Sequence, residues 1–143
     1  MSKDFINRVG KKIVHMHPGL LPDIRGADGL FWSVLLKGRP GVTAFFMKPG
    51  IDVGDVLLKS EFELPLPLQV TDSNTQSVYR GLLETFDPWC RAKALVNLLD
   101  DSRDKNIALE NMPVVLQKRD EGMSFHFMHQ KMRAKVIKMM MSK

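Results

Sequence analysis

Lys11-Lys12-Ile13-Val14-His15-Met16-His17-Pro18-Gly19-Leu20-Leu21-Pro22-Asp23-Ile24-Arg25-Gly26 runs from an apolar, strand-like lead into a loop shaped by Pro18, Gly19 and Pro22. His17 sits where the strand ends, and ligands gather at the carboxyl ends of strands in open α/β sheets. A second loop, Gly50-Ile51-Asp52-Val53-Gly54-Asp55, holds a carboxylate between two glycines. A histidine and a carboxylate, each set in its own loop, are the elements of an acid/base site.

Outward from these loops the pattern is α/β. Residues 4–9 form a short helix closed by Gly10. Asp28 is placed to cap a helix over 29–36, which Gly38 stops. Residues 41–47, Gly-Val-Thr-Ala-Phe-Phe-Met, are almost unbroken in apolar character and suggest a strand buried on both faces. A further strand covers 55–64, and Pro65 and Pro67 mark an extended connection. Thr71, Asp72 or Ser73 can cap a long helix over 75–99, whose apolar residues recur at spacings of three and four. Pro88 lies inside it and should kink or split it. The run 100–106 is polar and loop-like, 112–116 is weakly strand-like, and 121–124 turns into a last helix. On that helix Met128, Met132, Val136 and Met139 or Met140 make one stripe, a packing or docking face. Three good strands are visible and two read as interior ones, so the sheet looks partial. We divide the chain into a unit over 1–110 and a shorter strand-plus-helix segment over 111–143.

Composition narrows the class. The chain has 143 residues, 44% of them hydrophobic and 26% charged, which suits one globular domain. No apolar run is long enough to span a bilayer. The N-terminus lacks the apolar core of a secretion signal, and one cysteine, Cys90, excludes an intrachain disulfide. These features lead us to expect a cytoplasmic setting, with no membrane partner. A buried thiol is the ordinary state for Cys90. The net charge of +5 suits an anionic partner such as a nucleotide, a polyglutamylated cofactor or RNA. Lys131, Arg133, Lys135, Lys138 and Lys143 cluster near the end and read as a solvated helix face.

His15 and His17, two apart on a strand, project to the same face in a chelating arrangement. A third ligand would have to come from Asp52, Asp55, His126 or His129, none at a recognisable spacing, and no metal is expected. Asp52 reads as a turn aspartate or as the carboxylate that orients the imidazole and raises its proton affinity. Asp55 would bond the start of the next strand. Arg25 with Gly26 reads as an anion contact or a surface arginine.

His17-Pro18-Gly19-Leu20-Leu21-Pro22, Arg25-Gly26-Ala27, Trp32, Gly41-Val42-Thr43 and Gly50-Ile51-Asp52-Val53-Gly54-Asp55-Val56-Leu57 together resemble the folate-dependent formyltransferase family. The resemblance covers about 5–64, agrees with the helix at 75–99 and fades beyond about 110. It is nearer to the methionyl-tRNA and sugar-nucleotide formyltransferases than to the purine-pathway enzyme. It implies the C-terminal half of a Rossmann-like formyltransferase domain, with a partial mixed sheet and a long helix on its C-terminal side. The implied activity belongs to one-carbon metabolism: a transferase moving a formyl group from 10-formyltetrahydrofolate to an amine, with an amino-sugar nucleotide the preferred acceptor.

In the family, an asparagine, a histidine two residues later and an aspartate in the second loop form the site. His17 and Asp52 match the histidine and the aspartate, and His15 stands at the asparagine's position. Arg25, Gly26, Gly50, Ile51 and Gly54 are the implied binding residues. The Rossmann-like strands that precede this region in the family are expected to be missing, and Lys48-Pro49 replaces an often acidic pair. A complementing N-terminal half or a second copy is the expected protein partner, a small-molecule amine the expected substrate, and no nucleic-acid partner is expected. The rival readings are a non-catalytic truncated paralogue acting as an interaction protein, and a 10-formyltetrahydrofolate hydrolase.

Overall fold

A computed structural model describes residues 3–64, 69–118 and 120–141. The proline-rich connection at 65–68 and Lys143 lie outside the described residues. The element order is α1 (Lys3–Val9), β1 (Val14–His17), β2 (Ile24–Gly26), α2 (Gly29–Lys37), β3 (Gly41–Phe46), β4 (Asp55–Glu61), α3 (Thr75–Gly81), a π-helical turn (Leu82–Phe86), α4 (Asp87–Asp104), a 3-10 turn (Leu109–Asn111), β5 (Met123–Phe125) and α5 (Gln130–Met141).

The central strand is β3, and all six of its residues are buried. It pairs antiparallel with β1 on one side and β4 on the other. Its two faces have separate tasks because side chains alternate along a strand. Val42 packs on Cys90 and Ala94 of α4, and Ala44 packs on Leu98 and Met112. On the opposite face Phe45 meets Leu21 and Val56. The sheet is thus covered by α4 on one side and by the loop after β1 on the other. A separate parallel pair joins β2 to β5, so the molecule as a whole is mixed α/β.

The third layer is helical. Leu30, Phe31 and Val34 of α2 pack with Val136, Ile137, Met140 and Met141 of α5 and with Leu82. Gly38 ends α2 at φ 78, and its N–H bonds Val34 O.

Several expectations are corrected. Asp28 is no side-chain cap for α2: it has φ 53, and its Oδ2 accepts from Met128 N at 2.8 Å. None of Thr71, Asp72 and Ser73 caps α3; Asn74 Oδ1 instead accepts from Thr71 N. Strand β4 ends at Glu61, short of 64. The polar run after Leu99 is helical to Asp104, because Arg103–Asp100 and Lys105–Asp101 ion pairs stand one turn apart on it. Asn106, in the left-handed region at φ 52, follows its end.

The helix at 75–99 is interrupted, as Pro88 requires. The break begins upstream, in the π turn that precedes α4: the backbone stays helical through Phe86 and Asp87, Asp87 N bonds Leu82 O, and Pro88 follows directly as a residue with no N–H to continue the ladder. Residues 112–116 contribute a single bridge, Val115 to Val56. The stripe on α5 is rotated from the expected one. Val136, Ile137, Met140 and Met141 face inward, whereas Met132 and Met139 are exposed, and Met128 is buried ahead of the helix. β2 falls in a stretch that reads as loop, and where two interior strands are expected, only β3 has a neighbour on both sides among the described residues.

Cys90 has no exposed surface, and its burial, reinforced by Asp87, pushes the thiol up to about 12. Only a thiolate alkylates readily. Native protein at pH 8 is therefore expected to resist iodoacetamide at Cys90, and protein in guanidinium to react fully, as read by intact-mass spectrometry. No helix among the described residues is long and apolar enough to cross a membrane.

Candidate active site

The site begins at the end of β1. In the β1–β3 register His15 lies opposite Phe45 and His17 opposite Thr43. Period-two geometry puts both imidazoles on one face, with ring centroids 6.4 Å apart. His15 rests edge-on against Phe45, 5.5 Å between centroids. His17 is enclosed, with a side-chain exposure of 2%. Its Nε2 lies 2.9 Å from Ile24 O. A carbonyl only accepts, so Nε2 carries the proton and the lone pair sits on Nδ1.

The loop that encloses His17 is tied down by a residue the sequence reading did not single out as a site residue. Thr43 has no exposed surface; its hydroxyl donates to Gly19 O at 2.7 Å and accepts from Leu21 N at 3.0 Å. A signal was present. A hydroxyl inside a strand buried on both faces must find partners, because leaving it unpaired costs about 1–3 kcal/mol.

Asp52 arrives from the second loop in a left-handed conformation, φ 52. Its Oδ2 accepts from Gly26 N at 2.8 Å and stands 3.5 Å from His17 Nδ1. Thus β2, the strand absent from the sequence reading, holds the carboxylate in place. Gly26 itself has φ +90, and a Cβ there would come within 2.2 Å of Phe125 O. Gln117 links the two loops further: its Nε2 donates to Asp52 O and to Gly54 O, and its Oε1 accepts from Arg25 Nη2. Nothing in the sequence pattern marks Gln117, which acts through a contact distant along the chain.

The structure therefore brings His15, His17 and Asp52 together and sets Gly26 and Gly54 behind them as backbone supports. Arg25 is no surface arginine: it is buried, its Nη2 donates to Gln117 Oε1 and to Lys118 O, and its Nε finds no hydrogen-bond partner among the described residues. Gly50 and Ile51 lie exposed at the tip of the second loop. Asp55 pairs with Lys48 at 2.7 Å. A cavity of about 350 Å³ opens beside His15, lined by Met16, Pro88, Arg91, Ala92 and Leu95.

Asp52 raises the proton affinity of the imidazole, as expected, but burial outweighs it. Burial lowers the pKa of His17 below 6.5, and the attraction of Asp52 does not overcome it. His15 is lowered by burial too, again against Asp52. A histidine held neutral by the fold favours the folded state above its unfolded pKa, and that contribution is lost as protons are forced on below it. Stability should therefore be fullest above pH 6.5 and fall as pH drops toward the lowered folded values. Urea midpoints from pH 8 to 5 test this, and His17→Gln should flatten the decline.

Residues 1–80 match the family model described as Formyl transferase. The methionyl-tRNA formyltransferase of Clostridium botulinum (strain Alaska E43 / Type E3) is 45% identical over 95 residues, 63% of this chain and 30% of that protein. The enzyme of the same name from Clostridium tetani (strain Massachusetts / E88) is 29% identical over 103 residues, 71% of this chain and 31% of that protein. The chain thus spans less than a third of the length of these curated relatives. Among solved structures, a sugar N-formyltransferase from Shewanella sp FDAARGOS_354 aligns with TM-score 0.56 at 18% identity, over 97% of this chain and 55% of that one. The formyltransferase PseJ from Anoxybacillus kamchatkensis, solved with a formamido-sugar nucleotide and tetrahydrofolate, aligns with TM-score 0.54 at 19% identity, over 87% and 58%. Sequence match and fold agree: this chain belongs to the formyl transferase family.

Proposed function

We propose that this chain carries the histidine–aspartate part of a folate-dependent formyl-transfer site, passing a formyl group from 10-formyltetrahydrofolate to a primary amine. The observation that carries the reading is the meeting of His17 Nδ1 with Asp52 Oδ2 at 3.5 Å, in a chain of this family. Amine acylation needs a base that takes a proton from the attacking nitrogen and gives one to the leaving nitrogen. His17 suits both tasks. Burial keeps it neutral at rest, and its bond to Ile24 O presents Nδ1 as the acceptor. The proton that the amine sheds, as its nitrogen bonds the formyl carbon, passes by way of the Asp52 carboxylate to Nδ1, which faces it. The Asp52 carboxylate then stabilises the imidazolium so formed. His17 returns the proton to the folate nitrogen as the bond between that nitrogen and the formyl carbon breaks. His15, on the same face, can donate an N–H to the oxygen that gains charge.

The cavity beside His15 is at the small end of the range for ligand pockets, about 300–1,000 Å³. A folate fills more than this wall alone. Strand β1 has one hydrogen-bonded neighbour among the described residues, so its other edge can accept a further strand. We assign that edge to a complementing segment that closes the folate site.

The test is formyl transfer followed by mass spectrometry, for the full chain alone and co-expressed with the N-terminal portion of a curated relative. An amino-sugar nucleotide and methionyl-tRNA are offered as acceptors: the first is the acceptor preferred from sequence, and the second is named in the curated relatives. Transfer that fails with His17→Gln and with Asp52→Asn supports the proposal. No transfer in either arrangement, or transfer that survives both substitutions, overturns it.

A further inference from the structure

We propose that His15, His17 and Asp52 form a binding site for a divalent transition-metal ion of the zinc, cobalt and nickel class. One ligand atom from each residue lies within 4.8 Å of the others. The tightest edge, His17 Nδ1 to Asp52 Oδ2, is 3.5 Å. Two ligands at about 2.0–2.2 Å from a tetrahedral zinc stand roughly that far apart. The longer separations close by rotation of His15, which is half-buried and whose ring nitrogens make no hydrogen bond among the described residues.

The stronger argument concerns lone pairs. Ile24 O takes the Nε2 proton of His17, so the Nδ1 lone pair faces the Asp52 oxygen. Two acceptors facing each other in a mostly enclosed space repel, and a cation between them removes the conflict. A ligating histidine characteristically donates its second ring nitrogen to a backbone carbonyl, which fixes tautomer and orientation; Ile24 O provides that support. Asp52 is braced likewise by Gly26 N. Two imidazoles and one carboxylate leave at least one coordination position for water or a substrate atom, and imidazole ligands suit zinc, nickel and cobalt better than calcium or magnesium. Two histidines on one strand are an incomplete chelate by spacing; Asp52, one of four candidates by sequence, supplies the third ligand only once the loops are folded.

An ion bound here takes the Nδ1 lone pair that formyl transfer would use as its base, so ion binding and proton transfer by His17 are alternative states of these residues, and the readout here is ion binding alone. The full chain, stripped with chelator, is titrated with zinc by calorimetry and with cobalt by visible absorption. The expected result is one ion per chain and a cobalt spectrum of low-symmetry, nitrogen-containing coordination. His15→Asn and Asp52→Asn should each weaken binding at least about tenfold, the loss typical of perturbing a metal site. A His126→Asn/His129→Asn double variant should bind as the parent does. Circular dichroism confirms folding of each variant, and His15→Asn alters a half-exposed side chain. No one-to-one binding, or binding that persists in both His15→Asn and Asp52→Asn, overturns the proposal. Failure of formyl transfer alone leaves this outcome untouched.

Discussion

His17→Gln is expected to lower kcat/KM for the proposed formyl transfer, measured with the complementing segment present, by about 10²- to 10⁴-fold, the usual contribution of a positioned acid/base group. Glutamine keeps a donor that can reach Ile24 O, so the loop can hold its shape, but it offers no nitrogen that titrates. The loss should appear in kcat with folate affinity nearly unchanged, because the proton moves only on the way to the transition state. Asp52→Asn should act in the same direction through His17, since its amide oxygen can still accept from Gly26 N while the charge is gone. Steady-state kinetics with equilibrium folate binding separate the two quantities. A loss confined to KM would remove His17 from the proton path.

Gly54→Ala should be the most damaging single methyl in the molecule. A Cβ at this position would sit 1.5 Å from Phe46 O and 2.7 Å from a ring carbon of Phe45. The first neighbour is backbone at the end of the central strand, so no rotamer change relieves the clash. We expect a loss of about 4 kcal/mol or more, which belongs to the exceptional tail of point substitutions. Gly81→Ala is the control: it lies in α3 with nothing within 4 Å of a new Cβ. That change should stabilise by about 0.5–1 kcal/mol through helix propensity. Urea melts of both variants give the contrast directly, and equal midpoints would contradict it.

What could be read from sequence follows the range of the interactions. The buried strand at 41–46 and the long helix that covers it are legible because alternation and three-to-four spacing record which face is inside. The pairing of His17 with Asp52 is approached from sequence through two loops punctuated by Gly and Pro. The brace behind them is not. Ile24–Gly26 becomes a strand only because Met123–Phe125 lies beside it, and three residues carry no periodicity of their own. Arg25 reads as an anion contact or a surface arginine, and its burial is not legible, because its partners, Gln117 and Lys118, are remote in the chain. The stripe on α5 is misjudged for a related reason. Methionines recur all round that helix, and α2 selects which of them are inside.

The β2–β5 pair has a consequence for the order in which the protein is made. Met128 N bonds the side chain of Asp28, a partner 100 positions earlier, and the strand that orients Gly26 finds its mate in the same late stretch. A nascent chain that has emerged through Asp104 already contains β1, β3, β4 and α4, enough to close the sheet and its helical cover. It lacks the residues that fix Gly26, and with it Asp52, against His17. Domains begin to fold from their N-terminal side during synthesis. The chemistry-bearing loops are therefore expected to settle late, once the ribosome has delivered the segment that pairs with β2.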